Sequence, residues 1–217
     1  MPVKPSAPDR VARLKAVLFV ACLFPLVRLL WLGLSGGLGA NPIEFITRST
    51  GTWTLVFLLL TLTVTPLRRL AGWPWLIRLR RMAGLYAFFY ALLHFTTYIW
   101  LDQFFDLPAI VKDIGKRPFI TVGFTAFVLL LPLAATSTDA MVRRLGGKRW
   151  RQLHRLVYFI AGCGVIHYWW LVKKDISQPL LYAGALALLL AARAAFAVAR
   201  SWVVVDRGRQ PQQNPNL

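Results

Sequence analysis

Six stretches of the chain, roughly 14–34, 52–67, 83–101, 119–135, 152–172 and 180–199, are nearly unbroken apolar runs separated by short charged segments. A helix rises about 1.5 Å per residue, so about 20 apolar residues are needed to cross a hydrocarbon layer of about 30 Å. The pattern predicts an all-α integral membrane bundle of six transmembrane helices. Pro25, Pro66 and Pro132 fall in or near span ends, where neighbouring helices can satisfy the carbonyls that a proline frees. The first run follows a basic start, as a signal peptide does, but it continues to Leu34 without a small-residue cleavage site. It therefore reads as a retained span. The domain organisation that follows is a cytoplasmic N-terminal segment (1–13), a six-helix transmembrane domain (14–200) and a cytoplasmic tail (201–217). That tail ends in RGRQPQQNPNL, which is polar, rich in Pro and Gln, and reads as disordered.

Composition supports the membrane reading. The chain is 57% hydrophobic and 16% charged, against about 45–50% and about 25% for ordinary soluble domains. The net charge of +18 could suggest nucleic acid, but such a binder clusters its basic residues on a soluble face. Here they lie between apolar runs, so the partner is membrane lipid and not nucleic acid. With a cytoplasmic N-terminus, the inner segments hold Arg68, Arg69, Arg78, Arg80 and Arg81, a second cluster from Arg143 to Arg151, and basic residues at both ends of the chain. The outer segments hold only Arg48, Lys112, Lys116, Arg117, Lys173 and Lys174. The positive-inside rule then places both termini in the cytoplasm. Trp31, Trp53, Trp100, Trp169 and Trp170 fall near outer span ends, and Trp73, Trp75, Trp150 and Trp202 near inner ones, as an interfacial aromatic belt requires. The two cysteines, Cys22 and Cys163, sit inside apolar runs, which predicts neither a structural disulfide nor a thiolate metal site. No Gly-rich dinucleotide motif is present, which excludes Rossmann-type binding of NADH.

The candidate chemistry lies in the histidines. His94, His154 and His167 all lie in or at the ends of apolar runs. Ionisable groups there are costly and rare, and imidazole is the commonest side-chain metal ligand. The third and fifth spans both ascend from inside, placing His94 roughly 16 Å and His167 roughly 22 Å along their helices. The two can face each other at one depth in the outer half of the membrane. Two neutral imidazoles on facing helices make an axial pair for a b-type haem iron; the alternative for each is a hydrogen-bonded structural role.

His154 lies near the cytoplasmic end of the fifth span. It is about 20 Å from His167 and about 140° around an ideal helix, unless Gly162-Cys163-Gly164 distorts that helix. It either snorkels at the interface or touches a cofactor. At its depth the third span offers Arg80 and Arg81 instead of a histidine, with Arg80 on the face of His94. A guanidinium there suits a haem propionate or a flavin phosphate, although the cluster also serves as topology signal. Arg28, Arg155 and Arg193 lie near span ends and read as snorkelling residues.

The stretches GANPIEFITRSTGTWTL, TVTPLRRL, RLRRMAGLYAFFYALLHFTTYIWLD and WRQLHRLVYFIAGCGVIHYWW together resemble the haem-binding membrane subunit of the bacterial periplasmic protein-methionine-sulfoxide reductase system. That family lies within the ferric-reductase-like transmembrane domain group, and the resemblance covers roughly residues 14–200. It implies a multi-pass protein of the bacterial inner membrane that binds haem b and FMN. It also implies electron delivery to a periplasmic molybdenum-containing methionine-sulfoxide reductase catalytic subunit, which repairs oxidised envelope proteins. The chain is then no enzyme by itself, the catalytic centre being on the partner. The family's histidines carry over onto His94, His154 and His167, the first and last as iron ligands and His154 as a further candidate. The wider group uses two histidine pairs and often a fused flavin domain. This chain has neither a fourth histidine nor such a domain, so electrons come from a separate donor, the quinone pool or a soluble flavin reductase. Two other readings stay open: a stand-alone quinol or ferric-iron oxidoreductase, and a non-redox transporter whose histidines relay protons.

Overall fold

The computed structural model describes residues 7–172 and 174–209. Helices α1 (Ala7–Ala21) and α2 (Phe24–Leu34) form one bent span. The bend has a cause: Pro25 stands at the start of α2 and cannot donate to the carbonyl one turn back. Two tyrosines on a neighbouring helix take up carbonyls exposed at the bend, Tyr86 Oη donating to Phe19 O at 2.7 Å and Tyr90 Oη to Cys22 O at 2.8 Å. Carbonyls in hydrocarbon have no water to turn to, so these hydroxyls fix the first span to the bundle.

Helix α3 (Pro42–Ala71) starts with Pro42 at its first position behind an Asn41 cap, whose side chain accepts from Glu44 N at 3.2 Å. It ends at Gly72 in the left-handed region at φ 66°. A 3-10 turn leads into α4 (Ile77–Thr97), which runs on through a π-helical turn over Tyr98–Asp102. The outer segment between the expected runs 83–101 and 119–135 contains a short amphipathic helix, α5 (Leu107–Lys116), capped by Asp106 and packed on α6 (Pro118–Ala135). Then come α7 (Asp139–Leu145), α8 (Gly147–Leu153), α9 (Leu156–Leu171) and α10 (Ser177–Arg209).

Among the described residues there is no strand, and five helical segments are long and apolar enough to cross a membrane: Val11–Leu34, Pro42–Ala71, Pro74–Asp102, Pro118–Ala135 and Ser177–Ala199. The fifth expected run, 152–172, is divided. A turn at His154–Arg155 separates α8 from α9, leaving α9 with 16 residues. At about 1.5 Å each that is about 24 Å, short of a full hydrocarbon layer. The glycines at 162 and 164 do not break α9; His154 sits at the break. The first and last helices also overrun the expected boundaries, since α1 begins at Ala7 and α10 continues to Arg209. The disorder expected of the tail end falls on 210–217, and parts of the charge and aromatic patterns fall on Lys4, Lys173 and the side chain of Trp202. All of these lie outside the described residues.

The bundle packs as two tight helix pairs, α4 along α3 and α9 along α6. Phe57 stacks between Tyr86 and Tyr90 at ring distances of 5.4 and 5.3 Å, while Leu62, Tyr90, Ile160 and Ala161 are fully buried. Large apolar side chains such as Leu34, Leu181 and Leu188 remain exposed on the outside, an arrangement suited to lipid and not to water.

Arg193 on α10 departs from the snorkelling expectation. Its guanidinium turns inward and donates to Tyr158 Oη at 2.9 Å and to Leu62 O. Pro66 stands four residues after Leu62 and has no N–H to give that carbonyl. The arginine replaces the missing donor. Arg193→Leu should leave a buried carbonyl unpaired and destabilise the bundle by about 1–3 kcal/mol. The thermal midpoint of the detergent-solubilised protein checks this, and an unchanged midpoint contradicts it.

Candidate functional site

His94 on α4 and His167 on α9 come together in the structure, their ring centres 6.0 Å apart and their planes at 78°. Each imidazole is anchored the same way. His94 Nδ1 lies 2.9 Å from Thr47 O on α3, and His167 Nδ1 lies 2.7 Å from Phe119 O on α6. A backbone carbonyl can only accept, so in both rings Nδ1 carries the proton and donates it. Nε2 is therefore left with its lone pair. A carbonyl that fixes the tautomer and orientation of a histidine is the usual support for a metal-bound imidazole.

Two metal–imidazole bonds of about 2 Å each, plus the depth of each ring, place ring centres roughly 6 Å apart; the pair has the spacing for a single ion between them. Among the described residues no group of three or more His, Cys, Asp or Glu side chains could hold a metal. The two imidazoles alone suit a metal whose remaining ligands come with a cofactor.

Both histidines line a cavity of about 330 Å³ whose walls are mostly apolar, including Leu55, Phe95, Phe124 and Phe127. At its mouth stand Arg48 and Arg117. Each is tied to a carboxylate four residues away, Arg48 to Glu44 at 2.6 Å and Arg117 to Asp113 at 3.3 Å. Sequence reasoning assigned these two arginines only to the outer loops. Their position near the starts of the two helices that supply the anchoring carbonyls, Arg48 in the second turn of α3 and Arg117 just before α6, was the signal.

A second cavity of about 270 Å³ brings Arg80, Arg81 and His154 together with Trp150, Ser137 and Thr61. Trp150 stacks on His154 with ring centres 4.0 Å apart. Thr136 braces both, its backbone carbonyl accepting from Trp150 Nε1 at 2.8 Å and its hydroxyl lying 3.0 Å from His154 Nε2. That hydroxyl donates to Pro132 O at 2.6 Å, so it accepts from His154 Nε2–H. His154 thus has its Nε2 engaged, unlike the other two histidines, and no second histidine lines this cavity.

Arg81 pairs with Asp139 at 2.7 Å, while half-buried Arg80 makes no ion pair among the described residues. Leu58 and Leu130 line both cavities. A single layer of side chains separates them.

Residues 49–165 match the family of ferric reductase like transmembrane components, a membrane-spanning class with which the apolar helical bundle agrees. Whole-chain relatives narrow the class. A protein of Herminiimonas arsenicoxydans named protein-methionine-sulfoxide reductase heme-binding subunit MsrQ is 60% identical over 86% of this chain and 87% of its own length. Proteins of the same name from Rhodospirillum rubrum and Bordetella pertussis are 58% identical over 88% of this chain and 91% of their length, and 56% over 90% and 95%. The chain belongs to the MsrQ family of heme-binding subunits within the ferric-reductase-like transmembrane group, and it is a multi-pass membrane protein.

Proposed function

We propose that this chain is the membrane electron-transfer subunit of a protein-methionine-sulfoxide reductase system, carrying electrons from a cytoplasmic-side donor to a periplasmic catalytic partner. The observation that carries the reading is the His94–His167 pair, two rings 6.0 Å apart with both Nδ1 atoms committed to carbonyls. This donor set fits haem b. His94 and His167 would hold its iron, the aromatic and aliphatic walls would exclude water, and Arg48 and Arg117 would meet its propionates. When bound, the haem supplies a one-electron carrier whose potential the axial ligands and surrounding polarity tune.

The protein's own work is placement. Thr47 and Phe119 hold the imidazoles in one tautomer, which disfavours a proton relay, since neither Nδ1 proton is free to move. The cavity of Arg80, Arg81 and His154 is the electron-uptake site. Its cations suit an anionic donor group such as the phosphate of FMN, presented by a soluble flavin reductase, and quinol is the other donor consistent with its position. Leu58 and Leu130 keep that site one side-chain layer from the histidine pair. Catalysis belongs to the partner, a molybdenum-containing methionine-sulfoxide reductase in the periplasm.

The membrane is the bacterial inner membrane, crossed six times with α9 as the short fifth span, and both termini are cytoplasmic. Hydrophobic mismatch of a short helix is accommodated at modest cost, and Arg155, exposed at its start, can reach the interface. A reporter fused after Leu217 should be active only where cytoplasmic activity is scored; with a cytoplasmic N-terminus, a periplasmic signal requires a different number of spans. The function itself is tested by the absorbance spectrum and haem content of the purified protein. A low-spin b-type spectrum with a single haem per chain is expected, and protein that carries none from haem-sufficient cells contradicts the reading.

A further inference from the structure

We propose that Gly51 and Gly123 are positioning residues for the two imidazoles, forming matched half-sites on α3 and α6; the proposal rests on reading His94 and His167 as a haem-iron pair. The two half-sites are built alike. His94 donates to the carbonyl of Thr47, and Gly51 follows four residues later; His167 donates to the carbonyl of Phe119, and Gly123 follows four residues later. In helical register the amide at i+4 already bonds that carbonyl. A second donor must therefore approach it from the side, across the Cα of residue i+4. Helical Cβ atoms lean toward the N-terminus, over that same carbonyl. Any residue other than glycine would occupy the space the imidazole needs.

The distances bear this out. A Cβ on Gly123 would lie 2.7 Å from His167 Nδ1 and 2.9 Å from its Cε1. On Gly51 it would lie 3.0 Å from His94 Cε1 and 3.1 Å from Nδ1. A methyl group overlaps the ring at Gly123 and crowds it at Gly51, in both cases on the anchored side, which cannot swing away without giving up its hydrogen bond. Gly162, on α9 itself, meets nothing within 4 Å, so a methyl group there touches neither imidazole.

Adding a methyl group should push each ring off its carbonyl. A weaker Nδ1–H···O bond makes the imidazole a poorer electron donor at Nε2, which favours ferrous iron and raises the midpoint potential. It also rotates the ring, changing the angle between the two planes. The overlap is deeper at Gly123, so Gly123→Ala should have the larger effect. Removing a hydrogen bond that supports a metal-bound imidazole typically weakens metal binding about 10–100-fold, and a fall in haem affinity of that order is expected for Gly123→Ala, with a smaller one for Gly51→Ala.

The test compares Gly51→Ala, Gly123→Ala and Gly162→Ala in full-length protein purified from membranes. Four quantities are read: yield of monodisperse protein, haem content, midpoint potential, and the low-spin EPR signal that reports the angle between axial imidazole planes. Support is a positive potential shift and an altered EPR signal in the first two variants, larger for Gly123→Ala, with Gly162→Ala unchanged. Unchanged potential, EPR signal and haem content in both overturn the proposal while leaving the axial pair intact. If neither variant accumulates while Gly162→Ala does, the glycines serve helix packing, and the proposal is likewise overturned. Failure of the axial reading itself is separate, since it appears as haem retained when His94 or His167 is removed.

Discussion

His94→Ala and His167→Ala are each expected to yield protein that inserts in the membrane but carries almost no haem. Each histidine supplies half of the axial pair, and no third histidine lines the cavity around them. His154 lines the other cavity. A lone remaining imidazole would also face a void where its partner stood, open to water from the mouth. His154→Ala should behave differently: it leaves both axial ligands and both anchoring carbonyls in place, so the haem spectrum should survive. Haem quantitation across the three variants separates the cases. Full haem retention without His94 or His167 would sink the axial assignment, and haem loss on removing His154 would move a ligand to the second cavity.

The helices and the histidine pair were legible in the sequence because both follow from length. An apolar run of about 20 residues fixes a span, and the position of a histidine along it fixes depth to within a turn or so, which brought His94 and His167 together. Angular placement was less secure. Thirteen residues of ideal helix were assumed between His154 and His167, but the turn at His154–Arg155 divides the run, and no apolar pattern marks it. Arg193 was misplaced for a related reason. Its distance from the span end fits snorkelling, yet Pro66 creates an orphaned carbonyl across the bundle at Leu62 that only a long donor can reach. That signal exists in the sequence, as a proline four residues after Leu62, but it names the acceptor without naming the donor. The anchoring carbonyls of Thr47 and Phe119 were beyond reach altogether, because backbone acceptors have no residue signature. The glycines that follow them by four residues are their only trace.

Replacing Arg80 with glutamine should slow electron uptake from the donor side while leaving the haem spectrum unaltered. Arg80 lines the cavity that also holds His154 and makes no ion pair among the described residues, so its charge is uncommitted. A guanidinium in a cavity stays protonated and is a poor iron ligand, but it binds phosphates and carboxylates through a planar fork. A charge-assisted hydrogen bond contributes about 1.5–3 kcal/mol, and each 1.4 kcal/mol or so is about tenfold in affinity. Arg80→Gln should therefore weaken binding of an anionic donor group about 10–100-fold. Arg81→Gln alone should do less, because Arg81 is already held by Asp139 at 2.7 Å. The measurement is the rate of haem reduction in proteoliposomes as the concentration of reduced FMN is raised, repeated with a quinol. An anionic donor loses apparent affinity in the variant. A quinol, which has no anion to lose, keeps its own, and that contrast identifies the donor. Both donors reducing Arg80→Gln at the unmodified rate would remove the second cavity from the electron path, and loss of the haem spectrum would mean that Arg80 supports the histidine pair across the Leu58–Leu130 layer.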